Sequence, residues 1–207
     1  MTQPPYTPAL RQPEPRGLCT DCGVSRMADA KACGRACQFI QPDYPRHELR
    51  LHGRARNDQT ADEIHFGVFR RMLRARLSPA KDGAQWTGIA TTLGERLLAS
   101  GKVEAVLTVA PDPGDRWKPK PVIVTRAEDM AGCRGMRMGY SPLIALMEEV
   151  AARGYKRIAL IGIPCQVYAL RALEEEYGLE QLYVIGTPCS DNTTTDNFHD
   201  FLKLLDP

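Results

Sequence analysis

The sequence predicts an α/β fold, a mainly parallel sheet with helices on both faces, preceded by a loop-rich segment held by cysteines. Three observations carry this. After Gly83, short apolar runs of strand length alternate with amphipathic stretches of helix length. Gly101, Gly154 and Gly178 stand where those helical stretches should stop. Before them, four of the seven cysteines fall within 19 residues, as Cys19-x2-Cys22-x10-Cys33-x3-Cys37, in a stretch with no clean hydrophobic period.

Taken in order, Met1 to Arg16 carries five prolines and no apolar core, so it reads as an extended mobile tail and not as a secretory signal. Leu18 to Tyr44 reads as the cysteine-held loop segment. Asp58 to Leu77 predicts one amphipathic helix, with Ile64, Val68, Met72 and Leu73 on one face and arginines opposite, ended by Ser78-Pro79. Thr87 to Ser100 predicts a helix and Lys102 to Ala110 a strand. Pro111 to Pro119 reads as a loop, Pro121 to Thr125 as a short strand, and Thr125-x-x-Glu128 as a capping box opening a short helix. Ser141-Pro142 opens a helix to about Arg153, with Ser141 as N-cap. Arg157 to Gly162 and Leu182 to Gly186 are strands around a helix from Gln166 to Tyr177. Strands this apolar need cover on both faces, which a parallel sheet between helices supplies. Three units follow: a flexible tail (1–16), a cysteine-rich segment (17–58) and an α/β domain (59–207).

Composition narrows the function. The chain has 207 residues, 43% apolar and 25% charged, with net charge +2. No run approaches the roughly 20 apolar residues of a membrane span. Residues 1–80 hold 13 Lys/Arg against 8 Asp/Glu, and the remainder 14 against 17. The basic front is densest at Arg46, Arg50, Arg54, Arg56 and at Arg70, Arg71, Arg74, Arg76, which reads as a solvated face or as a docking surface for an acidic partner. Nucleic acid is not expected, because the excess is small and no aromatics interleave with it. Without an export signal the thiols sit in a reducing cytoplasm, and an odd count cannot pair fully, so metal or catalytic use is favoured over disulfides.

Four thiolates are a full ligand set for zinc or for an iron–sulfur cluster. The spacing matches no standard template of either, so both stay open, as do unligated cysteines. A second pattern is Ile161-Gly-Ile-Pro-Cys165 and Ile185-Gly-Thr-Pro-Cys189, one frame repeated after 24 residues. Each frame ends a strand, and a right-handed crossover makes the two strands parallel, so both cysteines belong to one sheet edge. Open sheets bind ligands at that edge, and a following helix N-terminus favours the thiolate. The alternative is a pair of buried, inert cysteines. Gly83-Ala-Gln-Trp-Thr-Gly88, before a helix, could set backbone N–H groups against a phosphate or a flavin, or be a plain turn. Gly132 to Tyr140 is a flexible, partly basic loop. His47, His52, His65 and His199 are scattered and suggest no hydrolase. Asp191-Asn192 reads as a helix cap.

Taken together, Cys19-Thr-Asp-Cys22-Gly23, Gly83-Ala-Gln-Trp-Thr-Gly88, Lys118-Pro-Lys-Pro-Val122, Ile161-Gly-Ile-Pro-Cys165-Gln166-Val-Tyr-Ala-Leu-Arg171 and Gly186-Thr-Pro-Cys189-Ser-Asp-Asn192 resemble the flavin and iron–sulfur family named for the beta subunit of coenzyme F420 (deazaflavin) hydrogenase. His52-Gly-Arg-Ala-Arg-Asn57 and Gly83-Ala-Gln-Trp-Thr-Gly88 make the chain most similar to the branch acting on chlorophyll pigments, which includes 8-vinyl reductases of divinyl (proto)chlorophyllide and 7-hydroxymethyl chlorophyll a reductases. The resemblance implies FAD, two 4Fe-4S clusters, reduced ferredoxin as electron donor and a tetrapyrrole substrate. It implies reduction of the C8 vinyl group, with 7-hydroxymethyl reduction, a deazaflavin-linked beta subunit, and a zinc-stabilised interaction module as the alternatives. By resemblance Cys19, Cys22, Cys33 and Cys37 hold one cluster, and Cys189 with Cys165 helps to hold the other. Cys133 lies in a loop that the resemblance does not mark as a ligand. Gln85, Trp86, Thr87 and Gly88, with Arg137, Tyr140 and Ser141, line the flavin. The resemblance also implies a cytoplasmic setting near the photosynthetic membrane and a flavin domain that continues past Pro207 with a further Cys-x2-Cys. Whether the protein is a homo-oligomer stays open.

Overall fold

Four strands form one sheet in a computed structural model that describes residues 5–12, 19–189 and 193–205. They are β1 (Ala105–Asp112), β2 (Asp115–Val124), β3 (Arg157–Gly162) and β4 (Gln181–Gly186), in the spatial order β2-β1-β3-β4. β1 pairs with β3 and β3 with β4 in parallel, while β2 adds antiparallel to β1. Seven helices are described: α1 (Ala32–Ala36), α2 (Tyr44–His52), α3 (Ala61–Phe66), α4 (Ile89–Ala99), α5 (Leu146–Ala152), α6 (Pro164–Leu173) and α7 (Thr195–Leu205).

Alternation along the strands sorts side chains onto two faces. Ala105, Leu107, Ile158, Leu160 and Ile123 share a core with Leu146, Met147 and Val150 of α5 and Ala169, Leu170 and Leu173 of α6. Val106, Val122, Val124, Ala159 and Ile161 face the other way, onto Leu97 and Leu98 of α4 and onto Met130. The expected helices on both faces are therefore present. The cysteine-rich segment joins the first core, since Val24, Met27, Ala32 and Ala36 are buried in it.

The N-terminal residues also reach the sheet. Tyr6 and Ile123 exchange backbone hydrogen bonds of 3.0 and 2.8 Å, and the Thr7 hydroxyl donates to the Pro121 carbonyl at 2.6 Å. The open edge of β2 offers unpaired backbone groups, and this short bridge takes some of them. The rest of the proline-rich tail (residues 1–4 and 13–16) and the Asp191-Asn192 cap lie outside the described residues.

Four expectations are corrected. The helix over 58–77 is helical only at Ala61–Phe66. Gly67 closes it with φ 71°, its N–H donating to the Glu63 carbonyl at 2.9 Å, and residues 68–77 run non-helical. Met72 and Leu73 are exposed, so the apolar face found nothing to bury against, and periodicity alone does not hold a helix. The Pro111 to Pro119 loop is a hairpin, with β1 running to Asp112 and β2 starting at Asp115. Its prolines are tolerated because β2 is an edge strand and β1 stops pairing with β3 at Leu107. No capping box opens at Thr125: the 3-10 turn Ala127–Cys133 has Arg126 at its N-cap with no side-chain cap bond, and Glu128 pairs with Arg126. Ser141 is not the N-cap of the next helix. Pro142 precedes a 3-10 turn, Leu143–Ala145, that runs into α5, and the Ser141 hydroxyl is buried without a partner.

Candidate functional site

Two cavities lie on either side of the first turn of α6. The first, about 250 Å³, is lined by Cys19, Cys22, Cys33, Cys37 and Cys165, with Ser25 and an apolar wall that includes Val24, Ala36, Phe39 and Ile40. Cys33 lies on α1, and Cys37 directly follows the helix in extended backbone. Cys19 and Cys22 come from the preceding loop. That loop is fixed by the Arg26 guanidinium, which grips Asp21 at 3.0 and 2.9 Å, and by the Ile144 N–H, which donates to the Cys22 carbonyl at 2.9 Å. Gly23 is required between them. Its φ is +116°, and a Cβ there would stand 2.5 Å from the Ala145 nitrogen and 2.6 Å from the Pro142 oxygen.

Burial disfavours the thiolate at two of these cysteines, Cys22 and Cys165. Burial pushes Cys22 up to about 12, opposed by the Val24 N–H and reinforced by Cys165, Cys33 and Cys19. Burial also raises Cys165, against hydrogen bonds from the Thr20 hydroxyl and the Gln166 N–H. The expectation that a helix N-terminus makes Cys165 a ready thiolate is thus corrected: burial outweighs the helix end. Binding a metal group here would release protons, which makes uptake pH-dependent. Among the described residues no three His, Cys, Asp or Glu side chains converge on a point that one ion could occupy. A zinc ion needs its sulfurs about 2.3 Å away, whereas an iron–sulfur cluster fills the middle of its site with its own iron and sulfide and spreads its ligands. Five thiols around a cavity of this size fit the larger group.

The second cavity, about 530 Å³, opens at the C-terminal ends of β3 and β4. Gly162 and Gly186 are in register there, and the Thr187 N–H donates to the Gly162 carbonyl at 2.9 Å, so the two repeated frames do stand side by side. They serve different cavities: Cys189 lines the second and Cys165 the first. Gln85 and Gly88 enter from the loop before α4, and Gly135, Arg137, Gly139 and Ser141 from the 134–141 loop. Trp86, Thr87 and Tyr140 do not line it. Trp86 is 89% exposed, and Thr87 is engaged with the chain at 77–81: its hydroxyl accepts from the Leu77 N–H at 3.2 Å.

Sequence reasoning gave Gln166 and Cys133 no role. Gln166 is buried on α6 next to Cys165. It donates to the Ser141 carbonyl at 2.8 Å and accepts from the Ile163 N–H at 3.0 Å, which ties the 134–141 loop to the end of β3. A Gln three residues after the helix start was the available signal. Cys133 is pushed up to about 11 by burial, eased by Arg137. The Arg137 Nε and the Ser141 hydroxyl are buried at this cavity without partners. Such groups are expected to meet a polar ligand. The cavity also falls within the usual size of a cofactor site, about 300–1,000 Å³. A flavin, with its ring edges and phosphates, suits these donors and the glycine-lined walls.

Residues 72–148 match the family model for the N-terminal part of the beta subunit of coenzyme F420 hydrogenase/dehydrogenase, and residues 155–206 match the model for its C-terminal part. The chain is 38% identical over 196 residues to an uncharacterized protein of Nostoc sp., covering 95% of this chain and 49% of that one. It is 39% identical over 188 residues to the chloroplastic 7-hydroxymethyl chlorophyll a reductase of Oryza sativa subsp. japonica, covering 89% and 40%. The chain thus spans about half or less of the length of these two curated relatives. Among solved structures, a chain of the F420-reducing [NiFe] hydrogenase complex of Methanosarcina barkeri aligns with TM-score 0.55 and 25% identity, over 58% of this chain and 44% of that one. By its two matched models and the fold it shares, the chain belongs to the coenzyme F420 hydrogenase/dehydrogenase beta-subunit family.

Proposed function

We propose that this chain carries the cofactor-holding part of a flavin and iron–sulfur oxidoreductase that reduces a chlorophyll pigment with electrons from reduced ferredoxin. The observation that supports this most is the pair of cavities separated by one helical turn, one lined by thiols and one by unpartnered donors and glycine loops. A cluster bound in the first would supply one-electron traffic, and a flavin in the second would supply hydride chemistry. In this reading Cys19, Cys22, Cys33, Cys37 and Cys165 face the cluster. Gly88, Arg137, Ser141 and Gln166 position the flavin, and Cys189 stands at its edge. The role of the chain is to orient both groups and to keep water from the path between them.

For the donor, charge supports an acidic protein. Arg70, Arg71, Arg74 and Arg76 are exposed along the non-helical 68–77 stretch. The earlier arginines are largely engaged within the chain, Arg50 with Glu174, Arg54 with Glu63 and Arg56 with Glu48. Among the described residues no helix is long and apolar enough to cross a membrane. For the substrate, the sequence motifs favour the C8 vinyl group of divinyl (proto)chlorophyllide. The 39% identity to a 7-hydroxymethyl chlorophyll a reductase favours a second reading, reduction of the 7-hydroxymethyl group.

Anaerobically purified protein is expected to be brown and to contain iron, acid-labile sulfide and flavin. With reduced ferredoxin it should turn over divinyl chlorophyllide or 7-hydroxymethyl chlorophyll a, and whichever pigment is consumed settles between the two readings. Colourless protein holding one zinc overturns the redox reading in favour of an interaction module. Turnover of a deazaflavin alone overturns the pigment.

A further inference from the structure

A cavity of about 530 Å³ holds one ligand of cofactor size. Once a flavin fills it, a second large planar reactant must lie outside, with only its reacting edge at the opening. We infer that Trp86 is the platform for that reactant, a flat conjugated macrocycle of the tetrapyrrole class, which stacks on the exposed indole beside the cavity. The inference rests on the flavin and pigment reading above and adds a specificity residue to it. It gives Trp86 a role outside the cavity, in place of the flavin contact expected from its motif.

Three observations carry it. The first is place and exposure. Trp86 stands between Gln85 and Gly88, which both line the cavity, yet it does not line it and is 89% exposed, more than any other large apolar side chain among the described residues. Among those residues no hydrogen bond or ring contact engages its indole. The other tryptophan, Trp117, packs edge-on against Phe198 at 5.3 Å. An indole left in water forfeits the burial that a ring of its size supplies. The second is that the backbone holds it there. Trp86 has φ 56°, a left-handed conformation that a bulky residue rarely adopts. The chain around it is pinned. The Leu77 and Lys81 N–H groups donate to the Thr87 hydroxyl and carbonyl, each at 3.2 Å, and a Cβ at Gly88 would stand 2.9 Å from the Ala84 Cβ. Such a conformation persists only where the surroundings impose it, and it places the indole before any ligand arrives, which lowers the ordering cost of binding. The third is the facing loop. The Gln85 amide donates to the Met136 sulfur at 3.8 Å, so a second soft apolar side chain, half exposed and lining the cavity, is tied to the residue before Trp86. An indole face and a thioether together suit a large apolar ring plane better than a polar or charged ligand.

The test is equilibrium titration of the FAD-loaded chain with detergent-dispersed divinyl chlorophyllide, with 7-hydroxymethyl chlorophyll a and with a deazaflavin, each in turn. Binding is read by the ligand's absorption shift and by quenching of tryptophan emission. Trp86→Gly removes the ring and relieves the left-handed backbone, so it should keep the melting temperature and the flavin content of the unsubstituted chain. It should weaken binding of the pigments by about tenfold, the worth of one aromatic stack, and leave the deazaflavin unaffected. Trp86→Phe should keep most of the affinity. A Trp86→Gly chain that binds the pigments as tightly as the unsubstituted chain overturns the inference and leaves the pigment reading standing. So does one that has lost its flavin, because Trp86 is then a cofactor residue, and so does weakening confined to the deazaflavin. Because a substitution can disturb the loop, the unsubstituted chain gives a second measurement. Hydroxyl-radical footprinting, read by peptide mass spectrometry, should show Trp86 protected by bound pigment relative to exposed Met72. Equal modification with and without pigment also overturns the inference. An unsubstituted chain that takes up no flavin, or holds flavin and binds neither pigment, overturns the underlying reading and the inference with it.

Discussion

The floor of the flavin-sized cavity is the end of a buried parallel sheet, whereas the thiol cavity lies under a segment, residues 19–67, that contains no strand. In the first region Ile158, Ala159 and Leu160 are fully buried between two layers of helices. In the second the helices are five, nine and six residues long, too short to persist by themselves. They are held by carboxylate–guanidinium pairs: Asp21 with Arg26, Glu48 with Arg56, Glu63 with Arg54, and across to the α6 region Arg35 with Glu176 and Arg50 with Glu174. One cavity thus rests on apolar burial, while the short helices beside the other add ionic hydrogen bonds to the core packing of Val24, Met27, Ala32 and Ala36. The two should respond differently to substitution, to backbone strain and to pH.

The largest effect is expected where the regions share a core. Leu160 of β3 is fully buried in the cluster that also contains Val24, Met27, Ala32 and Ala36. Leu160→Ala should cost about 2–5 kcal/mol in denaturant unfolding, and both regions should lose protection from hydrogen exchange together. Loss confined to the sheet would mean that the cysteine segment does not depend on that core.

Gly23→Ala should separate the regions. The added Cβ meets backbone, not a flexible side chain, and φ +116° strains any other residue. The strain alone is worth about 1–3 kcal/mol. The expected readout is loss of amide protection in 19–37 with protection in β3 retained. A melting curve and exchange pattern unchanged from the unsubstituted chain would show that this contact does not fix the loop.

The same contrast explains what the sequence revealed. β3, α6 and β4 were readable because burial demands unbroken apolar runs, and because Gly154 and Gly178 take the left-handed conformation that stops a helix. The hairpin between β1 and β2 was hidden by prolines, whose meaning depends on which strand is an edge, a fact of topology and not of local sequence. The 58–77 stretch kept a helical period that tertiary structure did not use. At the site, the four clustered cysteines and both glycine-rich loops were visible as motifs. Cys165 was visible too, but in the frame it shares with Cys189; its place beside the first four cysteines was not, because it meets them only once the N-terminal segment folds back onto α6. Gln166 was similarly silent, since its partners, Ser141 and Ile163, lie on separate elements.

Acid should resolve the two regions with the smallest perturbation. The Arg54 guanidinium and the Asn57 N–H hold Glu63 down at about 2, against an ordinary 4.5. Glu48 is lowered as well: burial would raise it, but the Arg56 guanidinium and N–H outweigh burial. A carboxyl whose folded pKa lies below its unfolded value stabilises fully above the unfolded value, and that stabilisation is lost as pH falls through the folded one. Protection of α2 and α3 should therefore decline from about pH 4.5 and be gone near pH 2. β3 carries no carboxylate of its own, and Glu104 holds only its first residue, Arg157, so the buried Ile158 to Leu160 should hold longer. Glu63→Gln should weaken the segment at neutral pH and flatten its response across that window. Because Arg54 is half exposed, solvent and salt screen the pair, so the effect is small and should shrink further at high ionic strength. If α2, α3 and β3 lose protection at one pH, the cysteine segment is not an ionically held unit, and the sheet sets the stability of both sites.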